Sequence, residues 1–306
     1  MGERLNYYIK SETEKHDYDT VVREFDIREF PLENFHKETF IRKGFEEVEK
    51  STFEKKICDG LVVAAEDVVR RLSLGNIGKR IGVTSNSIHV LTPSEMKDSQ
   101  NDHRPALAYN YHGNAYVPQI DKDTSKEDFV LMTAHELAHG LSAHATAIKH
   151  HEGELRSVNF AAGLSFQNEE GEWLFYGMME AVNELFAWQI RKSFLQKTED
   201  FRGKKEQQAL DQPVAYPGAV IVVRELLKDN GIAGEDEKGA LSQLLRDHVT
   251  GHHVFLDTLG KYRPKVYDVL KKMGTETKDA LQAAKQLKFR QASHDIKNFI
   301  RPTFDI

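Results

Sequence analysis

The 306-residue chain contains a single cysteine, Cys58. One thiol excludes an intrachain disulfide framework and fits a reducing compartment. A buried, inert Cys58 is the expectation, rather than a nucleophile. No uncharged run approaches the roughly 20 residues needed to cross a bilayer as a helix. Met1-Gly2-Glu3-Arg4-Leu5-Asn6 has no apolar core of signal-peptide length, and Tyr7 stands where a myristoylation signal needs Ser or Thr. The expectation is therefore a cytoplasmic protein with no membrane attachment. Internal repeats and low-complexity segments are missing as well. Positive charge is not in excess: a net charge of −6 gives no general reason to expect nucleic acid as a partner. The Lys and Arg residues between Lys261 and Arg301 are interrupted by Asp268, Glu276, Asp279 and Asp295, which reads as solvated helix faces. With 40% hydrophobic and 29% charged residues, the chain can build one large globular domain or two smaller ones.

What stands out against this background is His135-Glu136-Leu137-Ala138-His139, an H-E-x-x-H string. Residues four apart on an α-helix share a face, so both imidazoles can reach one metal ion. Glu136 can then face a water on that metal and act as its general base, the arrangement of a zinc hydrolase and most often of a metallopeptidase. Met132, Thr133, Ala134, Leu137, Ala138, Gly140 and Leu141 leave Glu136 as the one charge beside the histidines. A solvated helix face would carry Lys and Glu in those places. Two histidines and a glutamate are costly to bury in an uncharged helix unless they are paired or bound to metal. Thr124 with Glu127 reads as the capping box that starts this helix, and Phe129 to Met132 as its buried side.

Catalytic zinc takes a third protein ligand and leaves a position for water. The place six residues after His139 is Ala145, and His144 would point away on a continuous helix. A better source is the apolar segment Gly177–Trp188, which carries Glu180 and Glu184 one helical turn apart. Glu152 and Glu154 are further acids within reach in sequence. Over residues 123–190 the chain resembles the gluzincin group of zinc metallopeptidases, whose second helix carries a ligand glutamate followed by a small residue. A second acid four positions later in that group holds a ligand histidine. Carried over, the resemblance makes His135, His139 and Glu180 the ligands of one zinc per chain. It places Glu184 behind a ligand imidazole, His135 rather than His139. It further implies an α+β fold with a zincin-like core: a small, mostly antiparallel sheet, the H-E-x-x-H helix and the second ligand helix, followed by a helical carboxy-terminal region. The implied activity is hydrolysis of a peptide or protein substrate. Zinc lowers the pKa of a bound water, Glu136 takes its proton, and a Tyr or His from a later segment steadies the oxyanion. For that donor the order of preference is Tyr216, just ahead of Pro217, then His252 or His253, then Tyr262. Two other readings stand beside it: a zinc hydrolase of a non-peptide amide or ester, and a non-catalytic binding or regulatory protein of zincin fold. An intact Glu136 argues against the latter.

The rest of the chain divides into residues 1–95, a mixed α/β region; 96–200, the metal-binding core; and 201–306, mainly helical, or else one continuous catalytic unit. Val21 to Phe30 suggests one or two early strands, and Phe40 to Leu72 two helical pieces broken near Asp59-Gly60. Ser87–Leu91 reads as a short strand. Ala106–Tyr111 and Ala115–Pro118 read as a hairpin around His112-Gly113-Asn114, with the strand just before the active-site helix as the edge to which a peptide could add. Val158 to Gln167 alternates with period two and predicts one strand, turning at Asn168–Gly171 into a second at Trp173–Tyr176. Arg202–Gln208 reads as a polar connector. From Pro217 onward, helices break near Gly231–Gly234, Gly251, Pro264 and Gly274.

Overall fold

Ile57, Leu61, Ala64, Ala65, Val68 and Val69 recur at helical spacing and form the buried stripe of α1 (Thr52–Arg71). In the computed structural model, the described residues are 47–72, 84–91, 108–111, 114–122, 124–142, 144–151, 154–168, 172–210, 215–228 and 237–300. The expected strands in Val21–Phe30, the break at Gly231–Gly234 and Glu152 lie outside them. Helix α1 runs unbroken through Gly60, contrary to the expected break. A Cβ at Gly60 would lie 2.7 Å from Phe194 Cε2, so this glycine is there for close helix approach and not to end the helix. Residues 47–50 ahead of α1 are not helical, and Glu47 bridges to Leu91. At the start of α1, Ser51 and Glu54 form a capping box. The second oxygen of buried Glu54 accepts the N–H of Ile120 at 2.8 Å, which ties the approach to the next helix onto α1.

Strands β1 (Ile88–Leu91), β2 (Tyr109–Tyr111) and β3 (Asn114–Pro118) form a three-stranded sheet in the order β1-β3-β2. The expected β2–β3 hairpin is present in antiparallel register, Tyr109 opposite Tyr116, and β1 pairs with β3 in parallel. Strand β3, immediately before the H-E-x-x-H helix, is therefore interior and not the expected edge. Helix α2 (Lys126–Leu141) starts one residue later than expected: the cap is Ser125 with Asp128, while the Thr124 N–H is used by Asp121 in the preceding turn.

More than a hairpin separates α2 from the second ligand helix. His144 opens β4 (His144–His151), which pairs with β5 (Glu154–Ala162), then β6 (Ser165–Gln167) and β7 (Trp173–Leu174), all antiparallel. The single strand expected over Val158–Gln167 is two strands joined at Gly163-Leu164. Gly163 has φ +57°, and a Cβ there would meet His248 Nδ1 at 2.3 Å. Both the left-handed turn and the close approach require glycine. The Asn168 to Glu172 turn is closed by mutual hydrogen bonds. Tyr176 begins a helix instead of extending β7.

That helix, α3 (Tyr176–Leu195), is buried continuously from Gly177 to Ala187, as expected of a helix with almost no polar face. Its first free N–H groups are satisfied from the carboxy-terminal half: Phe175 N donates to Lys271 O and Gly177 N to Met273 O. The region after it holds α4 (Lys204–Leu210), where only a polar connector was expected. Glu206 caps it through the Gly203 N–H, and Leu210 buries its end. Then follow α5 (Pro217–Lys228), α6 (Glu237–Thr250), α7 (Val254–Tyr262), α8 (Pro264–Lys271), α9 (Thr277–Gln286) and α10 (Arg290–Ile300). The breaks near Gly251, Pro264 and Gly274 fall at helix boundaries as expected, with Pro264 opening α8. The fold is α+β, mostly helical with small sheets. One hydrophobic core extends from Ile57 in α1 through α2 and α3 to Ile296 in α10. Each fully buried Phe or Leu in it contributes roughly 1.5–3 kcal/mol. Cys58 sits in this core, where burial pushes its thiol up to about 12 and makes it unreactive. No helix among the described residues is long and apolar enough to cross a membrane.

Asp247 in α6 holds the start of α7: its Oδ2 accepts the Phe255 N–H at 2.6 Å, and Gln243 bonds its Oδ1. Burial pushes its carboxyl up to about 6, above the unfolded value of 3.8. The folded chain therefore holds this proton more tightly than the unfolded chain. Stability from this group falls as pH rises from about 4 to about 6, by at most on the order of 3 kcal/mol. In urea unfolding at several pH values, Asp247→Asn should lose that component. An unchanged pH slope would refute it.

Candidate metal centre

Packing of α2 against α3 brings the H-E-x-x-H motif and the acids of the second helix face to face. His135 and His139 sit one turn apart, with ring centroids 5.0 Å from each other. Glu180 Oε2 lies 3.2 Å from His139 Nε2 and 3.6 Å from His135 Nε2. Among the described residues these three form a group whose donor atoms all lie within 4.8 Å of one another. Two donors held at about 2.0–2.1 Å by a tetrahedral ion stand about 3.3 Å apart, so the spacing suits one ion. Glu180 Oε2 is buried and accepts no hydrogen bond of good geometry. A buried carboxylate oxygen without a hydrogen bond beside two imidazole nitrogens fits a cation.

Glu184, expected behind a ligand histidine, accepts from His135 Nδ1 at 2.9 Å. That bond leaves His135 Nε2 facing Glu180. The other Glu184 oxygen takes Arg191 Nη2 at 2.8 Å, and Arg191 Nε donates to Leu210 O at 3.1 Å. Burial opposes charge on His135, yet Glu180 and Glu184 overcome it and push the imidazole up to about 10. Burial likewise opposes charge on Glu180, but His139 and His135 hold its carboxyl well below the ordinary range. Glu136 is shifted the other way: burial raises it, only partly offset by His139 and His135. The pocket thus concentrates carboxylates around two imidazoles, a donor set that could hold a metal ion.

Tyr216 also reaches the site. Its ring centroid lies 5.8 Å from that of His135, and its backbone has φ +50°, a left-handed conformation that costs a tyrosine roughly 1 kcal/mol or more. Burial, then Glu180, raises its phenol, so it remains a protonated donor at neutral pH. His252 is exposed, His253 stacks on Phe166, and Tyr262 is 65% exposed beneath the Lys261 ammonium.

Four residues are given no site role by the sequence, although His248, in a histidine cluster with His252 and His253, reads there as either surface or cleft-facing. Tyr176, one turn before Glu180, has its phenol raised by burial and then by that carboxylate. Asn183 approaches His139 Nδ1 at 2.6 Å, and buried His248 reaches the Asn183 Oδ1 at 2.7 Å. Arg191 lies seven residues after Glu184. Helical spacing from Glu180 and Glu184 would have flagged Tyr176, Asn183 and Arg191; nothing local distinguishes His248 from its neighbours His252 and His253. Comparison with protein-family models, curated proteins and solved structures finds no match to this chain.

Two outcomes follow. Offered divalent ions, zinc among them, the purified chain should take up about one metal ion, and His135→Ala or Glu180→Ala should abolish stoichiometric uptake by metal analysis. Full metal content in Glu180→Ala would sink this ligand set. Arg191→Met, which strands Glu184 as a buried carboxylate lacking its guanidinium, should cost on the order of 3–5 kcal/mol in chemical unfolding. A loss below about 1 kcal/mol would mean that Arg191 is not what balances Glu184.

Proposed function

We propose that this chain is a zinc-dependent metallopeptidase of gluzincin type with a zincin-like catalytic core, acting on a peptide or protein substrate. The observation that carries the reading is the convergence of His135, His139 and Glu180 on one point, with Glu184 behind His135. These three residues would hold zinc, which when bound supplies a Lewis acid that activates water and polarises a carbonyl. Glu136 accepts the proton of the attacking water on its carboxylate and delivers it to the leaving amine nitrogen. The desolvated setting of Glu136 suits that task. Glu184 keeps the His135 ring oriented, and Arg191 balances the charge of Glu184. Tyr216 donates its hydroxyl to the oxyanion as the carbonyl carbon becomes tetrahedral. A substrate in extended form would lie along β2, which has a paired neighbour on one side only among the described residues.

The test is a peptide-library digest with zinc content measured in parallel. Glu136→Gln keeps the volume but cannot accept the proton, so turnover should fall by several orders of magnitude with zinc retained. Tyr216→Phe should lower kcat by roughly 10²-fold or more, also with zinc retained. A zinc-loaded parent that cleaves no peptide, or a Glu136→Gln variant at parental turnover, would overturn the proposal.

A further inference from the structure

His139 Nε2, the nitrogen beside Glu180, is the atom that faces the metal position. A neutral imidazole that ligates through Nε2 carries its proton on Nδ1, and that N–H needs an acceptor. His135 has a carboxylate for this purpose; His139 has the side-chain amide of Asn183. Asn183 is fully buried on α3 between Glu180 and Glu184, and its far end meets fully buried His248 of α6. The Asn183 Nδ2 also touches Met179 Sδ at 3.1 Å and His139 Nε2 at 3.1 Å. Gly163 lies so close to His248 that no side chain fits between them, which confines the ring.

We propose that Asn183 and His248 are positioning residues for the metal centre, forming a two-state relay that sets the tautomer of His139. In the first state the Asn183 Nδ2 faces His139 Nδ1, and the Asn183 Oδ1 accepts from His248 Nε2–H. At 2.6 Å from Nδ1 against 3.1 Å from Nε2, the amide N–H is accepted by Nδ1, so the imidazole keeps its proton on Nε2, which blocks ligation. An amide turned by 180° exchanges oxygen for nitrogen with little change in shape. In this second state Oδ1 accepts from His139 Nδ1–H and frees Nε2 for the ion. Nδ2 now donates to His248 Nε2, so His248 carries its proton on Nδ1. Metal binding selects the second state, and helix α6 thereby contributes to metal affinity without touching the ion. The inference depends on the metal centre proposed above and not on the reaction performed there.

Zinc affinity, measured by competition with a chromophoric chelator and no substrate present, tests the relay. Asn183→Ala should weaken zinc binding on the order of 10- to 100-fold. Asn183→Asp, whose carboxylate can accept from His139 as Glu184 does from His135, should bind zinc at least as tightly as the parent. His248→Phe keeps the ring volume but leaves the amide unheld, and should weaken binding several-fold in the parent and not at all in an Asn183→Ala background. Long-range proton–nitrogen spectra of the unmodified chain supply a readout that needs no variant: zinc should move the His248 proton from Nε2 to Nδ1. Parental affinity in Asn183→Ala, an equal effect of His248→Phe in both backgrounds, or a His248 tautomer indifferent to zinc would each overturn the relay. Because no turnover is read, failure of the peptidase reading is a separate result; a parent chain that takes up no zinc overturns the relay and the metal centre together.

Discussion

Three carboxylates, from Glu136, Glu180 and Glu184, are buried in the seam between α2 and α3, where each would cost several kcal/mol if left alone. Their compensation comes from His135, His139 and Arg191, all held on the same two helices. Neither helix can satisfy this balance alone, because Glu184 belongs to one and its imidazole partner to the other. The register of α2 against α3 is therefore set by electrostatics as well as by packing. A slide by one turn would leave Glu184 without His135 and Glu180 without both imidazoles. The surrounding elements keep the seam buried and in register: α1 packs against α3 across the bare backbone of Gly60, and Glu54 ties the approach to α2.

The carboxy-terminal half is tied to the helices that carry His135, His139 and Glu180. Carbonyls of Lys271 and Met273 receive the first N–H groups of α3, the point where a helix most needs outside acceptors. Tyr216 stands at the start of α5 in a strained backbone conformation that brings its ring beside His135. His248 arrives from α6 and meets Asn183 from the opposite side to His139. The site is thus assembled from α2, α3, α5 and α6.

Much of the local structure was legible because it depends on local chemistry. Period-three-and-four apolar residues mark α1 and α5, and Gly251, Pro264 and Gly274 interrupt backbone hydrogen bonding between the later helices. The errors occur where a distant partner decides. Gly60 looks like a helix breaker until Phe194 is seen against it. The alternation from Val158 to Gln167 continues through Gly163, yet the chain turns there, with His248 pressed against the glycine. Thr124 and Ser125 are equally good caps by type, and the choice falls on Ser125 because Asp121 takes the Thr124 N–H.

At the site, the sequence by itself determined the members that share a helical turn. His135 with His139, and Glu180 with Glu184, are separated by four residues, and the α-helix turns that spacing into a common face. Their apolar surroundings also marked both helices as buried. Which acid faces the imidazole nitrogens and which lies behind His135 was decided only when α2 docked on α3: Glu180 took the first position and Glu184 the second. Arg191, Asn183 and His248 were likewise decided by the tertiary structure. Their importance comes from the cost of leaving Glu184 and the His139 nitrogen without partners in a buried interior, and that cost does not exist until the chain has folded.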